Sequence, residues 1–288
     1  MLDRRGLFGA AIGVGIGPAA TAQAAEQSVV RRGYSNAKHG QIHYRSVGQG
    51  RRPPLLCFHH VPNSGQIYER VALKLAKGRR VVILDTPGYG MSDPLPDPQR
   101  IDAYASALSE AASALGLDDR PVDLLGYHTG AAIACAIALS GGLRVRRLAL
   151  CAVPVFSAEE RASFGAQTPI PFDEEGDWAR EEWRRSWRWR GPGQTREMVM
   201  RTYAEKMRPG ARERGASAIA AYDMADALAR VRQPLMIIRP RDDLWDATGR
   251  AMAVRPDAPV QELPDLGHGL WDVASDRMGE IIDGFLRA

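Results

Sequence analysis

The sequence predicts an α/β protein, a mostly parallel and doubly wound sheet with one helical insertion. Three observations predict it. From residue 42 onward, short β-branched runs alternate with segments of helical period, the pattern of parallel strands joined by covering helices. Pro54 to Phe58 is apolar throughout, and Arg79 to Asp85 holds the apolar run Val81 to Leu84, as strands buried on both faces must. Between Val155 and Val231 the rhythm stops, and Trp-rich and Arg-rich helical pieces surround Gly191-Pro192-Gly193 with no strand pattern.

The elements follow in chain order. Ile42 to Val47 reads as a strand after a turn at His39-Gly40, which puts His39 and His43 in a surface hairpin. Pro54 to Phe58 is the next strand. Gln66 to Ala76 has helical spacing through Val71, Leu73 and Leu75, and Arg79 to Asp85 is again a strand. Ile101 to Leu115 is an Ala-rich helix closed by Gly116, because glycine tolerates the left-handed turn that ends a helix. Val122 to Leu125 is a strand running almost directly into a small-residue helix, Ala131 to Leu139. Val145 to Val153, Pro234 to Ile238 and Val260 to Leu263 are strands, and Asp276 to Leu286 is a final helix.

Composition narrows the function classes. The chain has 288 residues, 45% hydrophobic and 25% charged, which excludes a disordered tail, a collagen-like chain and a disulfide miniprotein. The net charge of +4 is too balanced for a nucleic-acid partner. Three Cys cannot all pair. Cys57, Cys135 and Cys151 stand in apolar runs and read as small buried hydrophobes. Residues 1–25 read as an export signal: Arg4 and Arg5, an apolar stretch from Leu7 to Ala20, and the small-x-small phrase Ala22-Gln23-Ala24. Asp3-Arg-Arg-Gly-Leu-Phe8 resembles a twin-arginine signal. The mature chain is therefore expected in a periplasm or outside the cell, with no stable membrane span after cleavage.

The chemistry concentrates at Gly126-Tyr-His-Thr-Gly130, directly after a strand and before a small-residue helix. A turn this sharp forces its central residue into strained backbone, so the flanking positions need glycine. Three further phrases occur in order: Phe58-His-His-Val-Pro62 and Asp85-Thr-Pro-Gly-Tyr-Gly-Met-Ser-Asp93 before it, and Arg239-Pro-Arg-Asp-Asp243 after it. A fourth, Asp265-Leu-Gly-His-Gly-Leu-Trp-Asp272, completes the set. Together they resemble the α/β-hydrolase superfamily, in its lid-containing esterase, lactonase and meta-cleavage-hydrolase branch, over roughly residues 30–288. The resemblance implies the α/β-hydrolase fold, with 26–154 and 232–288 as core and 155–231 as a helical lid. It implies a nucleophile elbow with His128 in place of serine, Asp243 as acid with Asp242 as second choice, and His268 as base. It also implies an oxyanion hole from the backbone N–H groups of Val61 and Thr129, with His60 standing where the family has glycine.

A histidine at the elbow leaves four readings. His128 attacks a carbonyl as nucleophile. It acts as general base, for hydrolysis or for cofactor-free lyase or oxygenase chemistry. It joins a metal site. Or the chain is a non-catalytic small-molecule binder. The expected function is hydrolysis of a small ester or lactone-like substrate, with no cofactor and no metal. His60, Tyr127, Trp183, Trp187, Trp245 and Trp271 are the expected substrate contacts. Trp183 and Trp187 share a helix face four residues apart. Ser64 is expected to cap a helix, Ser92 to pack locally, and His59 to brace loop backbone.

Overall fold

The computed structural model describes residues 29–165, 173–208 and 210–288. The signal expected at 1–25 lies outside the described residues. Eight strands form one sheet in the order β1-β2-β4-β3-β5-β6-β7-β8. They are β1 (Arg31–Ala37), β2 (Gly40–Val47), β3 (Leu55–Phe58), β4 (Val81–Leu84), β5 (Val122–Tyr127), β6 (Val145–Cys151), β7 (Leu235–Pro240) and β8 (Val260–Leu263). The β1-β2 hairpin is antiparallel, as is β2 against β4, and every other pairing is parallel. This is the α/β-hydrolase fold.

The central strands β3 and β4 are apolar because both faces are covered. On β3, Leu56 and Phe58 enter the core under helices α2 (Ile101–Ala114) and α3 (Thr129–Ser140), while Leu55 and Cys57 face α1 (Glu69–Leu75) and the C-terminal helix. Val82 and Leu84 against Val81 and Ile83 repeat the division on β4, which is the period-2 consequence of pleating. Cys57, Cys135 and Cys151 are buried and free.

Among the described residues, five helices separate β6 from β7: α4 (Ala158–Gly165), α5 (Asp177–Arg188), α6 (Arg196–Lys206), α7 (Ala211–Ala220) and α8 (Met224–Arg230). Helices α9 (Trp245–Val254), α10 (Leu270–Val273) and α11 (Ser275–Arg287) complete the chain. The sequence left α9 unread, because Trp245-Asp-Ala-Thr-Gly-Arg carries little apolar periodicity. The segment expected as a single helix from Gln66 opens instead as a 3-10 turn, Gly65–Tyr68, capped by Ser64 Oγ accepting from Gln66 N at 3.2 Å.

Strand order places the site. The chain leaves β3 toward β4 and returns to β5 on β3's other side, so β3 and β5 are parallel neighbours with connections diverging. Ligands of open α/β sheets bind at the carboxyl ends of such a pair. Phe58 is in register with Gly126, so the loop after β3 and the elbow after β5 emerge side by side.

Candidate active site

β5 runs through Tyr127 into His128, whose backbone is at φ 51 and ψ −119. Such a conformation costs a non-glycine residue about 1–3 kcal/mol. It persists because the neighbourhood fixes it. His128 N donates to Cys151 O at 3.0 Å, and Ala131 N donates to His128 O at 2.8 Å. The two flanking glycines permit the packing. A Cβ on Gly126 would lie 2.4 Å from Gly130 O, and one on Gly130 would lie 1.9 Å from Phe58 O.

Two histidine–carboxylate pairs meet here, where a single one was expected. His128 Nε2 lies 2.9 Å from Asp242 Oδ2, and His268 Nε2 lies 2.9 Å from Asp243 Oδ1. The Asp242 side chain is fully buried, and its Oδ1 accepts from Leu244 N at 2.9 Å. Asp243 therefore stands against His268, and the second-choice Asp242 stands against the elbow. A carboxylate partner requires a donor, so Nε2 of each ring carries the hydrogen. Nδ1 of His128 then holds a lone pair, and it has no hydrogen-bond partner among the described residues. The Tyr127 hydroxyl bridges the pairs, 3.3 Å from Asp242 Oδ2 and 3.4 Å from His268 Nδ1.

The electrostatics follow from this geometry. Burial pulls the His128 imidazole toward a lower pKa, but the charge and hydrogen bond of Asp242, with Asp243 adding, leave it above its ordinary value. Burial would raise the Asp243 carboxyl, but the His268 hydrogen bond and the nearby histidines hold it well below the usual range. His60 is driven well down by burial and then by His128 and His268. Its ring is 5.5 Å from that of His128, and its Nδ1 is buried without a partner among the described residues.

These groups open on a cavity of about 290 Å³. The sheet side supplies His60, Val61, Tyr127, His128, Asp243, His268 and Trp271 to its wall, and the inserted segment supplies Arg185, Trp189, Thr202, Lys206 and Arg212. The Val61 and Thr129 N–H groups have no backbone acceptor among the described residues. α6 latches onto the loop after β3. Asn63 Nδ2 donates to Thr202 O at 3.0 Å, Ser64 N donates to Glu205 Oε2 at 3.0 Å, and Ser64 Oγ bonds Glu205 Oε1. The turn after α5 seats on the other loop, where a Cβ on Gly191 would lie 2.1 Å from His268 O.

Several expected contacts stand elsewhere. Trp183 and Trp187 stack on each other at 5.6 Å, with Trp183 also against Tyr203, and neither lines the cavity. The wall residue is Trp189, 6.3 Å from His268. It lies just past the end of α5, where helical spacing gives no signal. Trp245 lies under Arg239 and Arg241 at 3.9 and 4.9 Å, off the cavity. Trp271 does line it, packed on Tyr68 and Tyr127 at 4.9 and 5.5 Å. His43, read as a surface residue, is buried with Nδ1 2.8 Å from Asp85 Oδ2. Its strand position faces the core loop, which the hairpin pattern alone did not reveal. His59 braces two loops, Nδ1 donating to His60 O at 2.8 Å and Nε2 accepting from Thr86 N at 2.9 Å. Ser92 Oγ donates to Asp85 O at 2.8 Å.

The donor types also fit a divalent cation. His128, His268, Asp242 and Asp243 each offer one ligand atom, all within 4.8 Å of one another. Closest separations of 2.9 Å are hydrogen-bond distances, shorter than the roughly 3.3 Å that tetrahedral bonds of about 2.0 Å would set between ligand atoms.

Comparison with known proteins agrees with the architecture. The family model described as "Alpha/beta hydrolase family" matches residues 56–283. The chain is 34% identical over 114 residues to 2-hydroxy-6-oxononadienedioate/2-hydroxy-6-oxononatrienedioate hydrolase 2 of Pseudomonas putida, covering 38% of this chain and 39% of that one. It is 32% identical over 121 residues to the pimeloyl-(acyl-carrier protein) methyl ester esterase of Vibrio campbellii, covering 41% and 43%. The chain thus spans about two fifths of the length of the curated relatives it matches. Among solved structures, it is similar to an esterase from Exiguobacterium antarcticum, with TM-score 0.73 and 19% identity over 88% of this chain and 99% of that one. The enol-lactonase from Burkholderia xenovorans LB400 gives TM-score 0.73 and 18% identity over 89% and 100%. With the sheet order, the elbow and the loop sequence all of one type, and the family model spanning most of the chain, the protein belongs to the alpha/beta hydrolase family.

Proposed function

We propose that the protein hydrolyses a small ester or lactone with His128 as general base. The observation that carries the reading is the His128 imidazole. It sits at the strained elbow, backed through Nε2 by a buried carboxylate, and its Nδ1 lone pair is left unengaged in a residue lining the cavity. That is how a base is built: the carboxylate fixes the tautomer and stabilises the imidazolium that forms. In the proposed step Nδ1 takes a proton from water as the water oxygen bonds the carbonyl carbon. The Val61 and Thr129 N–H groups receive the oxyanion. Collapse breaks the bond to the alkoxide, which takes a proton from the imidazolium, releasing acid and alcohol. His268, held by Asp243, has its ring 5.5 Å from that of His128 on the same cavity. The inserted helices act as a lid in this reading, and the methyl ester named for the Vibrio campbellii relative supports ester chemistry.

The test is turnover of a panel of small esters and lactones by the purified protein, with and without chelator, beside His128→Ala. Turnover that survives chelation and is lost in the variant supports the reading. Turnover unchanged in His128→Ala overturns it. Loss on chelation moves the four-ligand cluster to a metal-dependent reaction. Export through residues 1–25 belongs to the same proposal. It is checked by the N-terminal mass of the mature chain, expected to begin after Ala24. Among the described residues, no helix is long and apolar enough to cross a membrane.

A further inference from the structure

The cavity is electrically two-ended. Its sheet end holds the two His–Asp pairs. Its insertion wall holds Arg185, Lys206 and Arg212. Behind that wall is Glu182, buried on α5, while Asp272, which lines the cavity from the sheet side, is paired with Arg201 and Arg70. Lys206 Nζ approaches Glu182 at 3.5 Å and Ser186 Oγ at 3.0 Å, and Arg212 Nη2 bonds the other Glu182 oxygen. Two cations thus share one carboxylate. Arg185 makes no ion pair among the described residues although it is half-buried on the cavity wall. The wall therefore carries a surplus of positive charge in a confined space.

The cations crowd one another. Burial lowers the Arg212 guanidinium, with Glu182 opposing and Arg185 adding repulsion. Burial lowers the Lys206 ammonium, with Glu182 again opposing and Arg212 adding repulsion. A buried surplus of like charge is unfavourable until an anion joins it. Lys206 and Arg212 are each already ion-paired with Glu182, so they contribute chiefly field. Arg185 has its planar fork free, the geometry that binds a carboxylate through two parallel N–H bonds.

We propose that the substrate carries a carboxylate, which docks on Arg185 at the insertion wall while the scissile carbonyl lies over His128. The reaction it names rests on the hydrolase reading above, but the anion subsite stands on the charge geometry alone. A cavity of about 290 Å³ limits the molecule to a short chain between the two ends.

The experiment compares monomethyl glutarate with methyl valerate, matched in length and differing in the terminal carboxylate. Proton release gives kcat/KM for wild type, Arg185→Gln and Arg188→Gln. Arg188 is an exposed arginine of the same helix, off the cavity. Calorimetry on His128→Ala, alone and combined with Arg185→Gln, gives the affinity of both esters without turnover. We expect wild type to favour the monoanion by at least about tenfold. That ratio should collapse in Arg185→Gln, persist in Arg188→Gln and shrink with added salt. No preference in wild type, or a preference that survives Arg185→Gln, overturns the proposal. If neither ester is turned over, the hydrolase reading fails and calorimetry decides the subsite. Tighter binding of monomethyl glutarate that depends on Arg185 supports it, and equal binding of the two esters overturns it.

Discussion

Replacing Asp242 by Asn isolates what the carboxylate behind the elbow does. Asn keeps the shape and the carbonyl that accepts from Leu244 N, so the loop after β7 should hold. With Oδ1 kept on Leu244 N, the amide nitrogen takes the Oδ2 position. The change therefore removes a charge-assisted hydrogen bond of 2.9 Å and sets a donor against His128 Nε2, favouring the tautomer with its hydrogen on Nδ1. Charge-assisted bonds contribute about 1.5–3 kcal/mol. If that stabilisation belongs to the imidazolium formed as water attacks, its loss alone lowers kcat/KM on a neutral ester about 10- to 150-fold, at one decade per 1.36 kcal/mol, and the reversed tautomer lowers it further. A second signature separates this from a structural effect. The base works unprotonated, so activity is lost as pH falls through its pKa. Asp242 is the main influence holding that pKa above its ordinary value against burial. In the variant burial dominates, and the acid limb of the pH–rate profile moves to lower pH. The assay is kcat/KM across the acidic and neutral range for both proteins, with circular dichroism to verify the fold. A plateau within about twofold of wild type and an unmoved limb would refute the general-base reasoning.

Asp243→Asn should lower kcat about 10- to 100-fold with a smaller limb shift, because its hydrogen bond is to His268 while only its charge reaches His128. Gly130→Ala should destabilise by about 3 kcal/mol or more, read as a lowered Tm, since the new Cβ meets Phe58 O at 1.9 Å and backbone on both sides must move. Asp85 is held down to about 2 from 3.8, its burial outweighed by His43, His59 and Arg45. Its folded pKa is the lower one, so its contribution is present above 3.8 and lost as pH falls through about 2. That contribution is about 2 kcal/mol, and Asp85→Asn should flatten that acid stretch of the stability curve. Trp189→Ala should change KM for ring-bearing esters severalfold, whereas Trp187→Ala, 36% exposed and off the cavity, should leave KM as it is.

The fold was legible because its cause is written in consecutive residues. Leu55 to Phe58 and Val81 to Leu84 are apolar on both faces, and only a sheet covered on both sides buries such runs. The elbow was legible because Gly126 and Gly130 answer a local steric demand. What the chain did not disclose depends on contacts between distant segments. Nothing local distinguishes Asp242 from Asp243. Their assignment is made by which histidine each meets, 114 residues away for Asp242. Helix period placed Trp183 and Trp187 on one face, but not which face meets the cavity. Arg185 and Trp189 reach it through the turn that Gly191 lets settle on His268 O.

The adjacent acids explain how a histidine can occupy the elbow. A serine there is a weak nucleophile that needs an external base, so one His–Asp pair suffices. An imidazole already has a lone pair, and what it needs is a fixed tautomer and a counter-charge for its protonated form. Asp242 supplies both without taking Asp243 from His268, because the two carboxylates diverge from consecutive residues at the end of β7. The same reasoning predicts the outcome of reversing the substitution. His128→Ser leaves the buried Asp242 carboxylate with its principal donor removed, and among the described residues the Tyr127 hydroxyl and Leu244 N–H remain. An unpaired buried carboxylate costs several kcal/mol. The serine variant should therefore lose stability, and His128→Ser with Asp242→Asn should recover it, as read by Tm. A single His128→Ser as stable as wild type would show that Asp242 does not depend on the elbow imidazole, and the paired-acid account of this site would fail.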